Sequence, residues 1–272
     1  MIRVIAILGL MMNGVSAAPE GWQLVWSDEF DVDGPPDSSK WGYEVGYLRN
    51  NELQYYTENR TENARVEGGN LIIEARKDNL LLGSDAKRTK GVKVAPITSA
   101  SLTTEKTKSW IYGRFEVRAK VPAGSGTWPA IWMLGTNIRE VGWPTCGELD
   151  IMEFVGNEPA MIHANVHTRD FNHTRGTGRG SKIKADKVTE AFHVYSMEWT
   201  EDEIRFFLDE KEYFAIKNDG SGVGSWPFDA PQYLLLNLAF GGSWGAAGGV
   251  DESILPVSYL IDYVRVYQRE EK

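Results

Sequence analysis

Three carboxylates stand close together in an otherwise apolar stretch of the chain. The run G-E-L-D-I-M-E-F-V-G at residues 147–156 contains Glu148, Asp150 and Glu153 and no basic residue. Carboxylates that lie close together repel one another, which raises the pKa of at least one of them. Because such an arrangement destabilises the folded chain, it indicates a site with a chemical function.

The spacing of the acids decides which element can bring them together. On an α-helix, at roughly 100° per residue, Glu148 and Glu153 would point about 140° apart. On a regular strand Glu148 and Asp150 would share a face, but Glu153 would point to the opposite one. One extra residue corrects this. The sequence therefore predicts a strand with a β-bulge at Ile151 and Met152, with the acids on one face and the apolar residues on the other.

Two glutamates on one face are suited to glycoside hydrolysis. In that reaction one carboxyl group protonates the leaving oxygen, and the other attacks the anomeric carbon or activates water. Asp150, between them, would hydrogen-bond the ionised nucleophile and help to keep the other glutamate protonated near neutral pH. A Ca²⁺ or Mg²⁺ site built from hard oxygen ligands is one alternative. A solvated acidic face is another, and the flanking apolar residues argue against it.

The motif E-L-D-I-M-E at 148–153 resembles the E-x-D-x-x-E signature of glycoside hydrolase family 16, in the form typical of its laminarinases, which are endo-1,3-β-glucanases. The motif alone would be a weak signal, but the resemblance covers essentially the whole chain after residue 17. Further segments similar to those of the family, in the same order, are L-V-W-S-D-E-F (24–30), N-N-E-L-Q-Y-Y (50–56), Y-G-R-F-E-V-R-A-K (112–120), G-T-W-P-A-I-W-M-L-G (126–135) and I-D-Y-V-R-V-Y-Q (261–268).

The resemblance implies both a fold and an activity. The fold would be all-β, a concanavalin-like β-jelly-roll sandwich of two antiparallel sheets with an open substrate cleft. The activity would be endo-acting hydrolysis of β-1,3-glucosidic bonds in laminarin-type β-glucans, by a double displacement that retains the anomeric configuration. In this interpretation Glu148 is the nucleophile, Glu153 is the general acid and base, and Asp150 is the partner of Glu148. No cofactor is required for catalysis.

Other functions of the same scaffold are alternatives. One is a lichenase that cleaves mixed 1,3-1,4-β-glucan, although many lichenases carry the unbulged E-x-D-x-E form. Another is a non-catalytic β-glucan recognition protein, but such proteins lose the carboxylates that this chain keeps. Galactan-cleaving relatives that act on sulfated polymers tend to use basic residues at the cleft, and no basic cluster lies near the motif.

The ten tryptophans provide candidate sugar-binding surfaces, because the C–H faces of sugars pack on flat aromatic rings. By resemblance, Trp143 lines the subsite of the attacked sugar, and Trp244 forms a platform at the rim of the cleft. Trp128 and Trp132 resemble residues of the cleft floor. For each of the four, packing in the core is the alternative. The others are assigned to packing: Trp22, Trp26, Trp41, Trp110, Trp199 and Trp226.

Three polar residues match family positions near the substrate. Asn51 and Arg76 correspond to positions that hydrogen-bond sugar hydroxyls, with a surface turn and a strand edge as the alternatives. His167 shares a strand face with His163 and, by resemblance, would lie near the acid Glu153 and tune it. A structural histidine is the alternative. Zinc binding by the two histidines would require a helix, which the strand prediction removes.

The family often carries one structural Ca²⁺ away from the cleft. The matching positions in this chain are Glu29, Gly69 and Asp262. Two of these would contribute backbone carbonyls, whereas Asp262 offers a carboxylate, which suits a hard cation.

Residues 1–17 have the pattern of a secretory signal peptide, with Arg3 before the apolar run 4–12 and V-S-A before the cleavage point. The apolar run is too short to span a membrane. We therefore expect residues 18–272 to form a single catalytic domain that is secreted, either extracellular or periplasmic. We also expect a monomer whose partner is a β-glucan polysaccharide or oligosaccharide, with no membrane partner.

The composition excludes one class of partner. With 38 acidic and 29 basic residues, the formal net charge is −9, whereas a sequence-independent nucleic-acid binder relies on clustered Lys and Arg. The single cysteine, Cys146, cannot form an intramolecular disulfide. We expect it to be a small buried side chain.

Short runs rich in β-branched and aromatic residues, separated by turn residues, predict strands along the chain. Alternation in R-F-E-V-R-A-K at 114–120 predicts a strand with one polar and one buried face. The nearly apolar run 233–240 predicts a central strand. Only 185–192 has a pattern that favours a short helix. Strands are expected over 70–75, 113–119, 192–199, 203–208, 233–240 and 259–267.

Overall fold

The computed structural model describes residues 18–269. The predicted signal peptide, residues 1–17, lies outside the described residues. In the described part the strands are β1 (Trp22–Asp28), β2 (Gly42–Tyr43), β3 (Tyr55–Tyr56), β4 (Ala64–Glu67), β5 (Asn70–Leu81), β6 (Val94–Ser99), β7 (Ser101–Thr103), β8 (Gly113–Lys120), β9 (Thr127–Gly135), β10 (Glu148–Glu153), β11 (Met161–His167), β12 (Arg179–Lys184), β13 (His193–Trp199), β14 (Glu203–Leu208), β15 (Lys211–Lys217), β16 (Gln232–Phe240) and β17 (Val257–Arg269).

The strands form two sheets that pack into a sandwich. The larger sheet has the order β15-β14-β13-β8-β17-β5-β6-β3, with β1 beside β17 and β4 beside β5. The smaller sheet has the order β12-β11-β10-β9-β16-β7-β2. Paired strands are antiparallel except for β3 and β6, which are parallel. The prediction of an all-β jelly-roll sandwich is confirmed.

The hydrophobic core lies between the facing surfaces of the two sheets. Phe115, Val117 and Ala119 enter it from β8 in the larger sheet, at alternate positions along the strand. β16 is buried over its whole length and lies between β9 and β7, which confirms the predicted central strand. The six tryptophans assigned to packing are buried or pack against the core: Trp22, Trp26, Trp41, Trp110, Trp199 and Trp226.

The polar face of β8 is more covered than its alternation predicts. Arg114 is only 3% exposed, and its guanidinium donates hydrogen bonds to Glu116, Glu198 and Glu210. Glu116 is buried as well. The expectation of an exposed polar face is therefore wrong for the first half of the strand, because carboxylates from neighbouring segments enclose the arginine.

The helix expected over 185–192 does not form. These residues make turns between β12 and β13, and Lys187 adopts a left-handed φ of 60°, which is incompatible with a right-handed helix. The α-helices that the structure contains are short and lie in connections: α1 (Ile138–Val141) precedes β10, and α2 (Gly242–Gly245) follows β16.

Within residues 18–269, every helix is too short or too polar to cross a membrane.

Candidate active site

The three carboxylates lie on β10, which contains the predicted bulge. Asp150 pairs with Trp132 on β9, but the next residue along β9, Ile131, pairs with Met152. Ile151 is therefore the extra residue. The pairing of β10 with β11 shifts over the same stretch. As a result the acids share the face of the smaller sheet that is turned away from the core, while the apolar residues between them are fully buried.

Glu148 is contacted from two sides. Trp143 Nε1 donates a hydrogen bond of 2.9 Å to its Oε2, and His167 Nε2 lies 3.6 Å from its Oε1. Burial raises the pKa of Glu148 to about 8, and the charges of Asp150 and Glu153 act in the same direction. Positive charge on His167 and the hydrogen bond from Trp143 oppose this rise. The three acids are therefore not all ionised at neutral pH.

Asp150 is the most buried of the three acids, at 3% exposure. Its Oδ2 has no hydrogen-bond partner, and burial, followed by the charge of Glu153, raises its pKa well above the usual range. Glu153 accepts hydrogen bonds from Asn165 Nδ2 at 2.8 Å and Trp128 Nε1 at 3.1 Å. These hydrogen bonds lower the pKa of Glu153, but burial has the larger effect and raises it. The cluster thus keeps protons at neutral pH, as a general acid requires.

His167 lies at the other end of the cluster from its expected place. It pairs across the strands with Glu148, whereas His163 pairs with Glu153. The two histidines share one face of β11, as predicted. His167 does not pair with Glu153, because β10 and β11 are antiparallel and the first residue of one lies opposite the last residue of the other. A positive charge on His167 nevertheless lowers the pKa of Glu153, as the expected tuning role requires.

The four tryptophans predicted for the cleft lie on the carboxylate side of the smaller sheet. Trp143 is 37% exposed and bonds to Glu148. Trp128 and Trp132 are buried, and their indole N–H groups bond to polar side chains. Trp244, in α2, packs edge-on against Trp128 with ring centres 5.6 Å apart. Trp143 and the half-buried Trp244 therefore offer ring surface to a ligand, whereas Trp128 and Trp132 mainly hold other groups in place.

Three side chains at the site were not singled out from the sequence. The guanidinium of Arg49 lies 4.7 Å from the centre of the Trp132 ring and pairs with Glu44. Asn237 accepts the indole hydrogen bond of Trp132 at 2.8 Å. Asn165 lies midway between the two histidines of β11, so strand alternation already places it on the acidic face. No comparable pattern indicates Arg49, which comes from a distant loop.

Asn51 and Arg76 are placed differently from each other. Asn51 is exposed, in a left-handed turn with φ of 53°. The neighbouring Asn50 carbonyl accepts a 2.7 Å hydrogen bond from Ser243 N in α2, so this turn lies at the rim of the cleft. Arg76 is on β5 in the larger sheet, with its guanidinium 3.4 Å from Glu74. The structure does not bring Arg76 to the carboxylates, which belong to the other sheet.

The three residues predicted to bind calcium lie on or beside strands that pair with one another. Glu29 follows β1, Gly69 lies in the turn between β4 and β5, and Asp262 is at an irregular point of β17, the strand that β1 and β5 both flank. Arg265 binds both oxygens of Glu29, at 3.0 and 2.8 Å, and Arg118 pairs with Asp262. The Asp262 carboxylate, the side-chain ligand expected for the cation, is thus paired with an arginine, and calcium binding stays a prediction.

Cys146 is fully buried just before β10. Burial raises the pKa of its thiol to about 11. The thiol is therefore protonated at neutral pH, and the expectation of a small buried side chain is confirmed.

A pair of glutamates with an aspartate between them, on a bulged strand below exposed tryptophans, defines a glycoside hydrolase. The model of the family described as glycosyl hydrolases family 16 matches residues 51–265. The chain belongs to this family.

Individual relatives are similar over nearly the whole chain. A β-glucanase from Rhodothermus marinus is 45% identical, covering 96% of this chain and 91% of its own. The structure of the laminarinase from Rhodothermus marinus gives a TM-score of 0.84 at 47% identity, covering 92% of this chain and 98% of its own. A non-specific endo-β-1,3(4)-glucanase of family GH16, with 1,3-β-D-cellobiosyl-glucose at its active site, gives a TM-score of 0.86 at 44% identity, covering 93% of this chain and 97% of its own.

Proposed function

We propose that this protein hydrolyses internal β-1,3-glucosidic bonds of laminarin-type β-glucans. It is an endo-1,3-β-glucanase of glycosyl hydrolase family 16. The observation that carries the proposal is the bulge at Ile151, because it turns Glu153 to the same side as Glu148. The neutral sugar polymer also fits a cleft with exposed indole rings, which pack on sugar C–H faces.

The mechanism we propose is a double displacement. Glu148 attacks the anomeric carbon while Glu153 donates its proton to the leaving glycosidic oxygen, so that the C–O bond breaks and a glycosyl ester forms on Glu148. In the second step Glu153 takes a proton from water, and the water oxygen displaces Glu148 from the anomeric carbon. Two inversions give a product with retained configuration.

As the nucleophile, Glu148 must release the proton that burial holds on it, and its neighbours Trp143 and His167 favour that release. The N–H of Trp143 points at Glu148 and stabilises its ionised form. Asp150 has an oxygen without a donor and a raised pKa. Asp150 stands between the two glutamates on the same face, with an oxygen of its carboxyl group within 4.8 Å of one of Glu148. The raised pKa of Glu153 keeps a proton available for the leaving oxygen.

Cleavage of mixed-linkage glucan is a second candidate activity. The relative whose name gives a non-specific endo-β-1,3(4)-glucanase favours it. Product analysis on laminarin, lichenan, curdlan and agarose, run side by side, decides between them: we expect hydrolysis of laminarin, and hydrolysis of lichenan alone would contradict a 1,3-glucanase.

We further propose that residues 18–272 form one catalytic domain, that the protein is secreted, and that it acts as a monomer. Support for secretion comes from the pattern of residues 1–17 alone. A non-catalytic recognition protein is disfavoured, because all three acids are present on one face.

Three variants test the mechanism. Glu148→Gln and Glu153→Gln should each abolish the release of reducing sugars from laminarin without unfolding the protein. Glu140→Gln, which alters an exposed glutamate of α1, is the matched control and should retain full activity. Azide should restore turnover to Glu148→Ser as a glycosyl azide of inverted configuration. Near-normal activity of Glu148→Gln, or an inverted product from the unaltered enzyme in proton NMR, would refute the mechanism.

A further inference from the structure

Glu148, Asp150 and His167 converge on one point of the carboxylate face of the smaller sheet. Among the described residues, one possible metal-ligand atom from each lies within 4.8 Å of the others. His167 Nε2 is 3.4 Å from Asp150 Oδ2 and 3.6 Å from Glu148 Oε1. Both separations exceed the range of about 2.7–3.2 Å for an N–H···O hydrogen bond. The imidazole therefore lies beside two carboxylate oxygens without being bonded closely to either.

These separations suit a shared metal ion better than a hydrogen bond. With Zn²⁺ bonds of about 2.0–2.1 Å, two ligand atoms of a tetrahedral site lie about 3.3–3.4 Å apart. The two measured separations are within about 0.3 Å of that value. Trp143 occupies Oε2 of Glu148, which leaves Oε1 for the metal. The third pair of ligand atoms, on Glu148 and Asp150, lies within 4.8 Å.

An independent observation points to a missing ligand at the same place. Asp150 is 3% exposed, and its Oδ2, the atom that faces His167, has no hydrogen-bond partner. A buried oxygen without a partner is costly. A cation at this point would satisfy it.

We propose that Zn²⁺, or another divalent transition metal that accepts nitrogen ligands, binds Glu148, Asp150 and His167 and inhibits the enzyme. One imidazole and two carboxylates form a ligand set of the zinc type, with the fourth position open to the cleft. Ca²⁺ and Mg²⁺ prefer oxygen ligands, whereas one of these three ligands is an imidazole nitrogen. Inhibition rests on the proposed role of Glu148 as nucleophile, whereas metal binding does not.

The surroundings of His167 set the affinity. A histidine that binds a metal ordinarily donates its other N–H to a nearby acceptor, and loss of that bond weakens binding by about 10–100-fold. His167 Nδ1 is buried and has no such partner. We therefore expect micromolar binding, which makes the site inhibitory and reversible and unlike a permanent structural zinc centre.

Calorimetric titration of Zn²⁺ in the absence of glucan tests the site directly. We expect one micromolar site in the unaltered protein, and at least tenfold weaker binding in His167→Gln and in Asp150→Asn. His163→Gln is the matched control, because His163 lies on the same face of β11 but pairs with Glu153. It should keep full zinc affinity. Because two different variants of the site are tested, the result can still be interpreted if one of them fails to fold.

Kinetics on laminarin test the inhibition. Zn²⁺ should raise the apparent KM and leave kcat unchanged, EDTA should reverse the effect, and Mg²⁺ at the same concentration should have none. Equal zinc affinity in His167→Gln and the unaltered protein, or loss of binding in His163→Gln, overturns the site. If zinc binds as expected but laminarin is not hydrolysed, the proposed function fails alone. If laminarin is hydrolysed and zinc does not compete with it, the inference fails alone.

Discussion

Removal of the charge of Glu148 should stabilise the folded protein increasingly above pH 4.5, with the full effect reached at about pH 8. A tenfold change in proton affinity corresponds to about 1.4 kcal/mol. The pKa of Glu148 rises from 4.5 to about 8, mainly because the group is buried. Ionisation of Glu148 therefore costs the folded state up to about 5 kcal/mol. Glutamine has nearly the same shape and keeps an oxygen that accepts the hydrogen bond from Trp143, so Glu148→Gln removes the charge and little else.

The stability that Glu148→Gln gains should be smaller than the full cost of ionising Glu148. Asp150 and Glu153 ionise more readily once Glu148 is neutral, because each raises the other's pKa through its charge. We expect a gain of about 2 kcal/mol, which in a domain of this size raises Tm by about 4–8 °C.

The sign of the effect follows from linkage. Below pH 4.5 Glu148 is protonated in both the folded and the unfolded chain, so the variant gains nothing there. Between pH 4.5 and about 8 the unfolded chain releases this proton first, and the unaltered protein loses stability relative to Glu148→Gln. Above pH 8 the difference is constant.

Thermal unfolding at pH 4, 6 and 8.5 measures this difference. Glu140→Gln, on the exposed side of α1, is the control and should show no pH-dependent change in Tm. Two results would show that burial does not hold a proton on Glu148. In one, Glu148→Gln is no more stable than the unaltered protein at pH 8.5; in the other, it is stabilised equally at all three pH values.

Three further predictions concern the bulge, a buried ion cluster and the single cysteine. Deletion of Ile151 should abolish hydrolysis of laminarin, because a regular strand directs Glu153 into the core; measurable turnover would contradict the role of the bulge. Arg114→Met should lower the free energy of unfolding by about 3–5 kcal/mol, since it leaves buried carboxylates unpaired, whereas Glu210→Gln, an exposed partner, should cost less than about 1 kcal/mol in urea titration. Cys146 should not react with a thiol reagent until the protein is unfolded in urea, and rapid reaction of the native enzyme would contradict its burial.

The arrangement of the acids could be predicted from the sequence because it depends on parity along one strand. Residues 148 and 153 are an odd number of positions apart, so only an irregularity puts both on one face. The same alternation placed His163 and His167 together. It did not reveal which of them lies beside which acid, since that depends on the register between β10 and β11.

Other features depend on contacts between distant segments, which no local pattern encodes. Arg49 reaches Trp132 from a loop more than eighty residues earlier in the chain. The burial of Arg114 depends on hydrogen bonds to Glu198 and Glu210, which come from two other segments. Arg76 matched a family motif, but its place on β5 in the larger sheet depends on strand pairing that the motif does not specify.

The acids and the exposed rings around them come from different kinds of structure. Glu148, Asp150 and Glu153 lie on a strand in the interior of the smaller sheet, anchored on both sides by β9 and β11. Trp143 and Trp244 come from the connections that surround α1 and α2. Insertions or substitutions in those connections can change which polymer binds, while the catalytic carboxylates keep their positions. Evolution and protein engineering thus have a route to new sugar specificities that leaves the hydrolytic chemistry intact.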